Sequence, residues 1–195
     1  MKNKIIALLI IVGFIYFLTI IIKKINWNSK YEVGQVLDEY NGVKVYYNGG
    51  VSNLGERNLT KDGYNIGIKY QCVEFIKRYY YEHFNHKMPD SYGNAIDLYD
   101  KECNDGSLNI KRNLIQHKNP SVKKPKEGEI IIFDKTVFNS YGHVAIISKV
   151  EDDSIEIIQQ NSGPFEKSRD RFTLKHENNL WTIQNGRVLA RLSIE

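Results

Sequence analysis

Tyr70-Gln71-Cys72-Val73-Glu74-Phe75-Ile76-Lys77-Arg78-Tyr79-Tyr80-Tyr81 places a thiol where a loop turns into a helix. Val73, Ile76, Tyr79, Tyr80, His83 and Phe84 recur at a spacing near 3.6, the signature of an amphipathic helix. Lys61-Asp62-Gly63-Tyr64-Asn65-Ile66-Gly67 leads into it with two glycines and reads as a turn-rich loop. Cys72 therefore belongs to the first helical turn, where unsatisfied N–H groups and the macrodipole favour negative charge. A thiol placed there is expected to ionise more readily than a free one, whose pKa is ~8.5. A buried structural cysteine is the plain alternative, since free cysteine is among the most buried residue types. A nucleophile needs a base, and the rest of the chain must supply it.

Outward from this helix, the chain of 195 residues begins with a segment of different composition. Ile5 to Ile22 is uncharged and almost wholly apolar, bracketed by Lys2, Lys4, Lys23 and Lys24. At ~1.5 Å per residue it approaches the ~30 Å of a hydrocarbon core, and a cleaved signal usually has only ~7–15 apolar residues before a small-residue site. The expectation is an N-terminal transmembrane anchor over 1–24, a juxtamembrane linker over 25–34 and one domain over 35–195. That implies a single-pass protein of a bacterial-type cytoplasmic membrane, held through residues 5–22. The lysines on the two sides balance, so the positive-inside rule gives no orientation.

The net charge of +4 comes from the lysines around that run; the remainder balances at 23 basic and 23 acidic side chains. A nucleic-acid partner needs a basic surplus on one face, so none is expected. Two cysteines, Cys72 and Cys103, neither require nor exclude a disulfide, and Cys103 in Cys103-Asn104-Asp105-Gly106 reads as a spectator at a turn. No C-x-x-C or H-E-x-x-H pattern points to zinc, and no cofactor is called for. Oligomeric state has no signature.

Gly34 to Gly55 reads as extended and turn structure, and Asn94 to Glu102 as a second short helix. From Ser107 to Glu127 the pattern is weak, with Pro120 and Pro125 marking a loop. Strands then follow in Glu129-Ile130-Ile131-Ile132-Phe133-Asp134, in His143 to Val150, and from Ser154 to Gln159. Trp181-Thr182-Ile183 and Arg187 to Ile194 are expected to close the sheet. A helix followed by a strand meander implies α+β. His143 opens a strand after Ser140-Tyr141-Gly142. By alternation Ile155, Ile157, Gln159 and Asn161 share one face of the next strand. If His143 uses that face, Gln159 or Asn161 can hold its imidazole, giving nucleophile, base and orienter. An ordinary half-buried histidine is the competing reading.

Gly67 to Phe75, Pro125 to Phe133, Gly142-His143-Val144-Ala145-Ile146-Ile147 and Gln160-Asn161 together resemble the CHAP family, the cysteine- and histidine-dependent amidohydrolases/peptidases. Gly42-Val43-Lys44-Val45-Tyr46, Gly93-Asn94-Ala95 and Phe133-Asp134-Lys135 extend the likeness across 35–195. Within the family these blocks look most like the amidase half of bifunctional glutathionylspermidine synthetase/amidase. The resemblance implies a papain-like α+β domain whose nucleophile helix packs on an antiparallel sheet. Cys72 would attack an amide carbonyl, His143 would act as base and acid, and Gln159 would be third member. Tyr70, Gln71, Lys77, Asp134 and Asn161 would line or orient the site, and the N–H of Cys72 would serve the oxyanion.

One departure stands out. Where the amidase carries Glu before Gln-Asn, this chain has Gln159-Gln160-Asn161. An amide accepts the imidazole N–H but cannot stabilise imidazolium by charge; in a serine triad the acid-to-amide change costs ~10⁴ in rate. Some CHAP domains bind calcium through several aspartates before the cysteine, but Asp62 alone lies in that loop, too few hard oxygens. The substrate is expected to be a peptide or an amide conjugate. Peptidoglycan peptides lead on the strength of the anchor and of the missing synthetase half, ahead of a glutathione–polyamine conjugate. A binding domain without turnover is the reading of a different class.

Overall fold

The computed structural model describes residues 2–24, 26, 28–50, 53–163, 165 and 167–194, without the side chains of 2, 20 and 22–24. Helix α1 spans Lys2–Lys24. Strands β1 (Val36–Tyr40) and β2 (Val43–Tyr46) form one antiparallel hairpin, and β3 (Arg57–Leu59) and β4 (Asn65–Ile68) a second. Helix α2, Cys72–Phe84, follows directly. A 3₁₀ turn covers Ala95–Leu98. Then come β5 (Ser107–Asn109), β6 (Leu114–Lys118), β7 (Ile130–Phe133), β8 (His143–Val150), β9 (Ser154–Ile158), β10 (Arg169–Glu177), β11 (Leu180–Ile183) and β12 (Val188–Ser193). These eight strands make one antiparallel sheet in the order β11-β10-β9-β8-β7-β12-β6-β5.

The centre of the sheet, β7 and β8, is buried on both faces. Ile130, Ile132, Val144 and Ile146 join Phe75, Ile76, Tyr79 and Tyr80 of α2 in one core. Ile131, Phe133, Ala145 and Ile147 join Ile155, Ile157, Leu174 and Ile183 in another. The period-2 alternation of side chains explains why β7 and β8 read as continuous apolar runs. Helix α2 ends at Phe84 because Asn85 adopts the left-handed conformation (φ 52°) and donates its N–H to the Tyr80 carbonyl.

The expected transmembrane anchor is overturned. Residues 2–24 are helical, but among the described residues no helix is long and apolar enough to cross a membrane. Ile20 and Ile22, counted in the expected span, lie outside the described side chains. The single-pass membrane location falls with it. Three smaller expectations also change. The helix expected over 94–102 is a single 3₁₀ turn. The segment 107–127, expected as loop, contributes β5 and β6. Strand β12 does not close the sheet but enters its interior between β7 and β6.

Candidate active site

Cys72 is the first residue of α2, with Gln71 as N-cap in an extended conformation (φ −84°, ψ 158°). The turn before it is tight. Tyr70 has φ 66°, a left-handed conformation that costs a non-glycine residue free energy. Gly67 (φ 136°) lets β4 pass against the helix, since a Cβ there would lie 3.1 Å from the Glu74 Cα. Gly142 (φ 73°) does the same before His143, where a Cβ would meet the Phe133 carbonyl oxygen at 2.8 Å.

His143 Nε2–H donates to Gln159 Oε1 at 2.9 Å. The Gln159 amide is itself oriented, because its Nε2 donates to the Lys167 carbonyl (3.1 Å) and its oxygen must then face the ring. That assignment puts the imidazole proton on Nε2 and leaves Nδ1 as the basic nitrogen. The His143 ring also packs on Phe133, with centroids 5.9 Å apart. Cys72 and His143 are both half-buried.

Both groups sit where burial opposes charge. Burial pushes the Cys72 thiol up to about 11, while the backbone N–H groups of Val144, Val73 and Cys72 itself pull the other way. The expected easy ionisation is therefore not what the surroundings favour: the N–H groups of the helix start are outweighed by desolvation. Burial lowers His143 to about 4; the Gln159 bond raises it and the Arg187 charge lowers it. A neutral thiol and a neutral imidazole are the forms these surroundings hold near pH 7. The Val144 N–H that faces the sulfur belongs to the residue after His143, so the helix start meets the strand start here.

Other expected site residues are distributed around this pair. Gln71 Nε2 donates to the Asn53 carbonyl (2.8 Å), and its oxygen accepts from Asn161 Nδ2 (2.7 Å). Asn161 thus ties the end of the strand region to the helix cap and leaves the imidazole to Gln159. The Tyr70 ring tilts against Tyr46, 5.5 Å away. Asp134 is exposed, its carboxylate accepts the Lys135 N–H, and its carbonyl accepts from Arg187 Nη2 (2.9 Å). Lys77 is not brought to the pair. It is buried, and its ammonium group donates to the carbonyls of Asn65 and Ser91. Burial, then the charges of Arg112 and Arg57, lower it to about 7.

The sequence blocks that contain Glu74 and Gln160 carry no sign that the two meet. Glu74, 2% exposed, accepts from Arg78 Nε (2.8 Å), Asn58 Nδ2 (3.0 Å) and Gln160 Nε2 (2.9 Å). Gln160 also donates to the Gln71 carbonyl (3.0 Å) and accepts the Tyr46 N–H (2.7 Å). This buried network joins β2, the first turn of α2 and the end of β9. Nothing in spacing pairs residue 74 with residue 160. Cys103 lies apart, with its sulfur on the Asn104 and Ser107 carbonyls. Among the described residues no group of three or more His, Cys, Asp or Glu side chains is placed to hold a metal ion.

A family model described as the CHAP domain matches residues 61–161. The chain is 32% identical over 133 residues to trypanothione synthetase of Crithidia fasciculata, covering 66% of this chain and 20% of that protein. It is 31% identical over 114 residues to the bifunctional glutathionylspermidine synthetase/amidase of Escherichia coli (strain K12), covering 54% and 17%. It therefore matches about a fifth of the length of these relatives. Among solved structures, Ly7917 with the hydrolysing product of MDP matches 38% of this chain and 30% of that one, at 25% identity and a TM-score of 0.28.

Proposed function

The chain belongs to the CHAP domain family, and from that premise we propose that it is a cysteine amidase working through a thioester. Family membership and the amidase relative support a hydrolase acting on an amide bond. The observation that carries the finer reading is the oriented imidazole. Gln159 holds Nε2, so Nδ1 is the ring nitrogen left to take the thiol's proton on this reading.

Cys72 Sγ attacks the carbonyl carbon as its proton passes to His143 Nδ1. The oxyanion formed is met by the N–H of Cys72 at the helix start. Collapse breaks the C–N bond, and imidazolium His143 delivers the proton to the leaving amine. Water, losing a proton to His143, then opens the thioester to the free acid and restores the thiol. On this reading Tyr70 and Asp134 line the approach for the substrate.

The scissile bond on this reading joins a peptide carboxyl to an amine, as in the glutathione–polyamine amide of the relatives' names. Of the two grounds for peptidoglycan peptides, the membrane anchor has gone. The test incubates the full chain with glutathionylspermidine and, separately, with purified peptidoglycan, following amine release, with Cys72→Ala as control. Spermidine release that needs Cys72 is expected. Release from peptidoglycan alone would move the substrate class; no release from either, with an unmodified Cys72 by mass spectrometry, sinks the enzyme reading and leaves a binding domain.

A further inference from the structure

Strand β7 ends at Phe133, paired with His143, and begins at Ile130, directly after Gly128 and Glu129, which line a cavity. This cavity of about 410 Å³ opens between the C-terminal turn of α2 and the edge of β6, a volume suited to a small molecule. Its apolar lining comes from Tyr80, Phe84 and Ile115. Its polar lining includes His117, Lys123 and Lys126.

His117 is the informative residue. It is 7% exposed, and its Nδ1 is buried with no hydrogen-bond partner among the described residues. A buried ring nitrogen left without a partner is unfavourable unless something else supplies one. Lys123 and Lys126 are exposed and enter no ion pair among the described residues. Beneath them Arg191 pairs with Glu129 and donates Nη2 to the Lys123 carbonyl (2.7 Å). With Glu127 also on the wall, the acids offset two of the three cations, which leaves one positive charge in surplus. Burial and the charges of Arg191, Lys123 and Lys126 lower the pKa of His117, so near pH 7 the ring is neutral and Nδ1 serves as a hydrogen-bonding atom.

We propose that this cavity is a binding site for a small monocarboxylate with an apolar body. The carboxylate lies among Lys123, Lys126 and His117, and the body rests on Tyr80, Phe84 and Ile115. A single surplus charge matches a monoanion, and the aromatic wall gives the body its contact. The site lies at the far end of β7 from Cys72, so it stands or falls independently of the amidase reading.

The probes are 4-phenylbutyrate and its neutral amide, titrated into the full chain by calorimetry and by NMR of the histidine rings. Saturable binding of the carboxylate with shifts at His117 and not at His143 is expected. The amide should bind about tenfold more weakly or worse, and Lys123→Ala/Lys126→Ala should lose about tenfold for the carboxylate. Both lysines are exposed, so the double variant should melt as the parent does. Equal affinity for the two probes, an unaltered double variant, or no saturation at ~10 mM each overturns the proposal.

Discussion

At Gln159 an amide stands where an acid would add charge, and the imidazole it holds is neutral over most of the pH scale. On the proposed chemistry His143 must be unprotonated to act as base. With its pKa lowered to about 4 and the thiol raised to about 11, kcat/KM should rise through about pH 4 and fall only near 11. A rate profile with its acid limb above pH 6 would contradict this. Gln159→Glu puts a carboxylate beside the ring and favours imidazolium, so the acid limb should move to higher pH. Gln159→Ala frees the ring to rotate and should cost about 10²-fold in kcat, the scale of a misplaced catalytic group. The stability sign is separate. His143 is depressed from 6.5, so its neutral burial stabilises fully above 6.5, and that stability is lost as pH falls through about 4. Thermal melts should decline across that window, less so in His143→Gln.

Helix α2 is held at its start by polar groups and along its length by apolar ones. Phe75 and Ile76 are fully buried against β7 and β8 and anchor the element; Phe75→Ala should cost ~3–5 kcal/mol in denaturant unfolding. Glu74 and Gln160 act differently, fixing the first turn through the Gln71 carbonyl. Gln160→Ala leaves the buried Glu74 oxygen and the Tyr46 N–H short of a partner, a loss of ~1–3 kcal/mol. If that pair positions the thiol, kcat should drop more than the residual fraction folded explains, with KM little changed. An activity loss that merely tracks unfolding would make the pair structural only.

For the whole molecule, the buried Arg191–Glu129 pair ties β12 to the start of β7 across the sheet interior. Arg191→Met alone strands the carboxylate and should destabilise by ~3–5 kcal/mol, whereas adding Glu129→Leu should recover much of it. Urea melts of the single and double variants check this. The pair matters because β12 comes last in sequence and sits in the middle of the sheet. Its pairing with β6 and β7 is therefore long-range.

The helix at Cys72 and the strands at Ile130 and His143 were legible as local patterns. A period of 3.6 or 2 is written in neighbouring residues and depends little on the rest of the chain. Strands β5 and β6 were not legible, since Ser107–Asn109 and Leu114–Lys118 carry polar residues whose partners, such as Asp100 for Gln116, come only with folding. The location of β12, the burial that raises Cys72 and lowers His143, and the Glu74–Gln160 bond belong to the tertiary structure. Each depends on which distant segments exclude water from which side chain, and a linear pattern of residues does not contain that.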